Sequence, residues 1–431
     1  MQRIITGPQR PESSVSSVPQ WHGRGPAAPL GTYAKSIDSP PPGTGRQILQ
    51  AHRAKRYELL STARRILSDA GRAVGLVYGH DYHRTAKCKW VRRSAGGMVG
   101  VHLDHDHGAA FYSNLTSCGS VWACPICAAK IQERRREEIA RAIHWAHQKR
   151  LQPVMVTLTF PHRAWHKLRR LLDQQAVALT KLRQGDPWKK FKNRVGYVGL
   201  IRSLELTHGQ HGWHPHTHEL WLVDADVDAD AMRVQIVKQW ESACIRAGLL
   251  DPSDTAQIQA FREHGVDVKG HCSASDYLAK QDDSRHWGAD REIAKGATKA
   301  GKAKGVHAFG LLDQAGAGCR KSGRLYLAYC LAMRGKRQLL WSAGLKGLVG
   351  VDEISDEALA EQEREEADVL GLLTPDEWRL VRGLGQRAPL LDAAEADGWA
   401  GVVALLEDLR RQEDLKQGVH GGRSTPWPTN K

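Results

Sequence analysis

Gly212-Trp213-His214-Pro215-His216-Thr217-His218-Glu219-Leu220-Trp221-Leu222-Val223 decides how the centre of this 431-residue chain is read. Three histidines alternate and then run into an apolar segment of strand character. Successive side chains of a strand point to opposite faces, so residues two apart share one face. His216 and His218 are therefore expected side by side, their Cα atoms about 7 Å apart. Two imidazoles at that spacing can grip one divalent ion. A histidine-rich turn that binds nothing is the plainer alternative, and the surroundings must decide.

The length allows two or three domains with ample buried core. The formal net charge of +15 is unevenly placed. From Val351 onward there are 18 acidic and 9 basic residues, which leaves +24 on the first 350. Such a basic body suits a polyanion, nucleic acid first and an anionic membrane second. No run of apolar residues reaches the ~18 that a membrane span needs, and Met1–Thr6 leads into Gly and Pro without an apolar signal core. A cytoplasmic protein with no membrane partner is expected. Its cysteines are then reduced thiols. Cys124-Pro125-Ile126-Cys127 is a knuckle that turns two thiolates to one point, with Cys118 just upstream and Cys88 earlier. These four fit a closed, tetrahedral structural Zn²⁺ site. A redox C-x-x-C would leave Cys118 and Cys88 unexplained. His102, His105 and His107 are local alternatives for the fourth ligand.

Four regions are expected. Residues 1–45, rich in Pro, Gly and Ser, read as a disordered segment. Residues 46–150 hold a helix (47–76), the Cys-rich module (85–130) and a charged helix to about 150. Residues 151–350 have an α+β pattern: strands at 154–160, 197–207, 212–223 and 265–270, helices at 163–184, 229–248 and 273–281, a loop-like basic segment from 288 to 324, then a helix at 325–344. Residues 351–431 read as an acidic helical region, with helices near 353–370, 375–384 and 391–412. Arg134, Arg135 and Arg136 on the charged helix, and Lys295, Lys299, Lys302 and Lys304 in the basic segment, are candidate DNA contacts. For the arginines a solvated helix face is the plainer alternative.

Three segments of the 151–350 region carry chemistry. Thr157-Leu158-Thr159 alternates hydroxyls with an apolar residue. Glu205 stands between leucines in Ser203-Leu204-Glu205-Leu206-Thr207, where a lone buried carboxylate is costly. It either pairs with an arginine or serves as a third ligand beside His216 and His218. Two imidazoles and a carboxylate leave positions open on Mg²⁺ or Mn²⁺. In Asp276-Tyr277-Leu278-Ala279-Lys280, Tyr277 and Lys280 lie three apart and share a helical face. A phenol has an ordinary pKa of about 10, and a neighbouring lysine favours the phenolate. The plainer reading packs Tyr277 under the sheet.

The ordered set Thr-Leu-Thr, His-Pro-His-Thr-His and Tyr-x-x-Lys at 157, 216 and 277 resembles the HUH endonuclease superfamily, specifically the rolling-circle replication initiators of small bacterial plasmids. The Cys-Pro-x-Cys knuckle before a basic helix and Trp341-Ser342-Ala343-Gly344-Leu345-Lys346 are similar as well, so the likeness covers about 85–350. It implies an α+β fold with a central antiparallel sheet flanked by helices, preceded by a small zinc module and followed by a helical C-terminal region. His216 and His218 would hold Mg²⁺ or Mn²⁺, with His214 flanking. Tyr277 would attack a phosphate at the plasmid's double-strand origin, giving a 5′-phosphotyrosine and a free 3′-hydroxyl for host DNA polymerase, with a host helicase as a further partner. One departure stands out: relatives with a glutamate four residues before the tyrosine have Ser273 matched here, and serine cannot be that base. Asp276 points to another helical face, and Tyr326 and Tyr329 look like helix core. The competing readings are a transposase or relaxase with the same chemistry and a non-catalytic zinc-containing DNA-binding regulator.

Overall fold

The structure is a computed structural model that describes residues 44–272, 305–361 and 367–421. The chain divides into Met1–Gln47 and Ile48–Lys431, and the second unit carries everything below. The expected disordered segment 1–45, apart from its last two residues, and the expected helix 273–281 lie outside the described residues. So do Tyr277, Lys280, Lys295, Lys299, Lys302 and Lys304.

Helix α1 (Thr44–Ala73) leads to a hairpin, β1 (Val99–Asp104) and β2 (Ala109–Tyr112), and then to α2 (Pro125–Gln148). The start of α2 follows from its sequence. Cys124 is the N-cap, its sulfur accepting from the Cys127 N–H, and Pro125 occupies the first helical turn where its missing N–H costs nothing.

A five-stranded sheet follows, built from β3 (Leu151–Leu158), β4 (Gly199–Gly209), β5 (Gly212–Asp224), β6 (Val266–Lys269) and β7 (Leu339–Trp341). Its order is β6-β3-β5-β4-β7, with every pairing antiparallel. The histidine stretch is β5, the central strand, and it pairs with β4 through a hairpin closing at Gly209 and Gly212. Gly212 has φ +86°, and a Cβ there would lie 2.9 Å from Ala164 Cα. Only glycine meets both demands at this turn.

Helices α3 (Leu168–Leu182), α4 (Gly185–Arg194), α5 (Ala229–Arg246) and α6 (Thr255–His264) intervene between strands. One sheet face (Val154, Val156, Leu158, Trp221, Val223) packs with α3, α4 and α5 around Trp188, Phe191 and Trp240. The other (Met155, Ile201, Leu220, Leu222) packs on Ile139, Ala142 and Ile143 of α2. Burying each such aliphatic side chain is worth about 1.5–3 kcal/mol, so both faces are anchored at this end of the sheet. The histidines share the α2 face but lie beyond the apolar part of it.

Three sequence expectations need correction. The segment 288–324 is not loop throughout, because α7 (Ala308–Gly316) and the start of α8 (Arg320–Ala332) fall within it. The helix expected at 325–344 stops at Ala332. Gly335 adopts φ +76°, which ends the helix, and Leu339–Trp341 become β7 on the open edge of β4. The helix expected at 353–370 is instead α9 (Leu345–Val349) before it, a short α10 (Asp356–Glu361) and a strand, β8 (Ala367–Leu373). β8 pairs with β1, giving a second sheet of order β2-β1-β8. Helices α11 (Pro375–Gly383) and α12 (Arg387–Gly421, kinked at Asp397–Gly398) cover it. Trp378, Leu390, Leu391 and Val402 pack there against Val99, Val101 and Tyr112. Sequence alternation in β8 is weak because its pairing partner, not its own pattern, fixes it as a strand. No helix among the described residues is long and apolar enough to cross a membrane.

Candidate metal centres

Cys88, Cys118, Cys124 and Cys127 converge in the interior, with every sulfur within 4.8 Å of the others. The Cys88–Cys127, Cys88–Cys124 and Cys118–Cys127 sulfurs are 3.5, 3.5 and 3.8 Å apart. A disulfide requires about 2.05 Å. Thiolates at about 2.3 Å from a tetrahedral zinc sit about 3.8 Å from one another. The separations match the second geometry. All four are at most 4% exposed. Burial pushes the Cys124 thiol up, whereas hydrogen bonds from Cys118, Cys124 and Cys88 pull the Cys127 thiol down. Four buried sulfurs at these separations could hold one cation. His102, His105 and His107 lie elsewhere: His102 meets Ser113, His105 meets Asp368, and His107 meets Asp104. Tyr326 steadies the knuckle by donating to the Ala123 carbonyl at 2.6 Å. Burial of Tyr326 and Tyr329 raises both phenol pKa values and keeps them as core.

The second cluster arises from strand register. Glu205 on β4 stands directly opposite His216 on β5, and Ser203 opposite His218. Glu205 Oε2 lies 3.1 Å from His216 Nε2 and 3.0 Å from His218 Nε2. Of the two fates open to Glu205 in the sequence, it meets the histidines and, among the described residues, no arginine. Ligands at right angles around an ion at about 2.1 Å would be about 3.0 Å apart, so the three atoms are spaced for one small divalent ion. The side chains keep 11–15% exposure, which leaves one side of the group open. Burial alone would raise the Glu205 pKa, but the hydrogen bonds from His216 and His218 hold it far below the usual carboxylate range.

The surroundings orient the rings. Thr157 lies across β3–β5 from His218, and its hydroxyl meets His218 Nδ1 at 3.0 Å, which directs Nε2 to Glu205. Thr159 meets His214 Nε2 at 2.7 Å. His214 Nε2 is thereby engaged by Thr159, while the His214 ring stacks on His162 with centroids 4.6 Å apart and lies 4.9 Å from the His216 ring. Burial, followed by the field of His216, lowers its pKa to about 3. His307 was not foreseen. Its Nε2 is 3.5 Å from Glu205 Oε1, brought there by a bridge between Val306 and His208. A lone histidine after a glycine-rich stretch carries no signal of this in the sequence.

The arginines of α2 differ among themselves. Arg134 is exposed and meets Glu137 at 3.1 Å, and Arg136 meets Glu133 at 3.6 Å. Arg135 is 15% exposed and tied to Glu138 at 2.8 Å and Asp356 at 2.9 Å, which fastens α2 to α10.

Fold and clusters together define a mixed α/β protein with two candidate metal centres, one closed and sulfur-lined, one open and nitrogen–oxygen-lined. Residues 112–380 match the model of a family described as "Replication protein". The chain belongs to that replication protein family, which bears out the resemblance to plasmid replication initiators. It is 27% identical over 366 residues to a "Protein rep" from Streptomyces lividans, covering 70% of this chain and 75% of that one. It is also 32% identical over 141 residues to a "Neomycin resistance protein" from Streptomyces cyanogenus, covering 27% of this chain and 32% of that one. No solved structure matches.

Proposed function

We propose that this replication protein starts rolling-circle replication by nicking one strand at a plasmid origin, within an HUH endonuclease fold. The observation that carries the reading is the 3.0–3.1 Å convergence of His216, His218 and Glu205 on an open sheet face. These three would hold Mg²⁺ or Mn²⁺, which when bound polarises a DNA phosphate. The Tyr277 phenolate attacks phosphorus, a bond forms from the tyrosine oxygen, and the bond to the 3′-oxygen breaks. That oxygen leaves as the 3′-hydroxyl that primes synthesis, and the 5′-phosphate stays on Tyr277. Lys280, one helical turn on, favours the phenolate. One ester replaces another, so no nucleotide hydrolysis is needed.

Cys272, the last described residue before Tyr277, packs on the same sheet face as Met155 and Leu220, the face that carries the histidines. In this reading Zn²⁺ fills the cysteine cluster as a structural ion, Arg134, Arg136 and Lys295–Lys304 meet DNA phosphates, and host helicase and polymerase extend the primer.

The test is incubation of supercoiled origin plasmid with protein and Mn²⁺ or Mg²⁺. Metal-dependent nicking with protein on the 5′ end is expected, and Tyr277→Phe should abolish the adduct while leaving DNA binding. An adduct that persists in Tyr277→Phe assigns the nucleophile elsewhere. Binding without nicking under all conditions leaves a DNA-binding regulator.

A further inference from the structure

Thr217 sits between His216 and His218 in sequence, and alternation sends its side chain to the opposite sheet face. There, α3, β4, β5 and residues 335–338 enclose a cavity of about 750 Å³. Its polar lining includes Gln175, Arg183, Arg202, Thr217, Lys336 and Arg337. Gln175 and Thr217 are only 2% and 1% exposed, yet the Gln175 amide nitrogen and the Thr217 hydroxyl have no hydrogen-bond partner among the described residues. Buried groups of this kind are normally satisfied.

The charges are also unbalanced. Arg183 is taken by buried Glu219, which also accepts from Trp221 at 2.7 Å. Lys336 meets Asp173 at 3.0 Å. Arg202 lies opposite Glu219 in the β4–β5 register and feels its charge, but makes no side-chain hydrogen bond or ion pair among the described residues, and neither does Arg337. The cavity therefore presents two guanidinium forks, an amide donor and a hydroxyl. An anionic group rich in acceptor oxygens would satisfy them. Guanidinium forks match phosphate geometry. The rest of the wall is apolar (Leu172, Leu179, Leu204 and Leu340), and the volume far exceeds one phosphate.

We infer that this cavity, on the sheet face opposite the histidine cluster, is a nucleotide-phosphate site, with Arg202, Arg337, Gln175 and Thr217 on the phosphate and the leucines against sugar or base. The phosphate belongs either to a free nucleotide or to a nucleotide of a DNA strand. The inference does not depend on Tyr277 or on nicking.

Titration calorimetry on the full-length protein, without added Mg²⁺ or Mn²⁺, tests it. The probes are the four deoxynucleoside monophosphates, a phosphate-free deoxynucleoside and a short single-stranded oligonucleotide. Arg202→Gln with Arg337→Gln should weaken binding by roughly tenfold or more, and Lys189→Gln, an exposed lysine, should not. Thr217→Val removes an unpartnered hydroxyl without changing shape, so it should keep the melting temperature and still weaken binding. It carries the test if the arginine variants fold poorly. Loss for monophosphates and oligonucleotide together supports a site open to free nucleotides. Loss for the oligonucleotide alone supports a DNA phosphate. Equal affinity for the phosphate-free nucleoside, or binding indifferent to all three substitutions, overturns the inference.

Discussion

The cysteine and histidine clusters solve the same problem, gathering electron-pair donors in a low-dielectric setting, in opposite ways. The four cysteines come from one stretch of 40 residues and lie sealed in the core between α1, α2 and α8. The histidine cluster draws one ligand from β4 and two from β5, keeps 11–15% exposure and has one open side. A closed set of four ligands leaves a metal no coordination site for a substrate, whereas an open set of three does. In the proposed reading the cysteine cluster holds the fold, and the histidine cluster meets a ligand.

Removing ligands should separate the two most sharply. Cys124→Ser with Cys127→Ser is expected to release the bound metal and abolish cooperative melting, since binding at such thiolate sites is worth on the order of 10 kcal/mol of folding energy. Elemental analysis and calorimetry check this, and one retained equivalent of metal would break the contrast. His216→Ala, His218→Ala or Glu205→Gln should instead cut metal-dependent nicking about 10³-fold, equivalent to about 4 kcal/mol, with melting shifted by only a few degrees. A melting collapse like that of the cysteine variant would make the second cluster structural too.

A pH titration sharpens the closed side. His83 is buried beside the knuckle, and its Nδ1 accepts the Thr85 N–H while Thr85 touches Cys118. Burial, then the charges of Arg334 and Arg84, lower its pKa to about 4. A histidine depressed in the native state takes up its proton more readily unfolded. Its contribution is thus whole above pH 6.5 and is lost as pH falls towards 4, by roughly 3 kcal/mol. His83→Asn should flatten the stability profile in that window. An unchanged slope means that another group titrates. The smallest expected effect is at Thr157→Val, which unties His218 Nδ1. Mn²⁺ affinity should fall about 10–100-fold with melting unchanged, and full affinity would show that the hydroxyl orients nothing.

Much of this was readable beforehand for a local reason. The histidine strand, its hairpin partner and the knuckle-capped helix depend on alternation, a glycine turn and an N-cap, which act over a few residues. Where distant pairing decides, the sequence misled. Residues 339–341 and 367–370 were read as helix, and both lie in strands because an edge of β4 and of β1 was waiting for them. Arg135, a candidate DNA contact in the sequence together with its neighbours, is met by Asp356 more than 200 residues on, a partner no local pattern shows.

By itself the sequence determined which residues are chemically able to act: four thiolates within 40 residues, and two imidazoles two apart on a strand whose period is two. The tertiary structure alone decided their company. It set Glu205 against both histidines through the β4–β5 register, brought His307 to the far oxygen of that carboxylate, and sent Thr217 to a cavity on the other face. Periodicity fixes the direction in which a side chain points. What it meets there depends on strands and loops that no local pattern encodes.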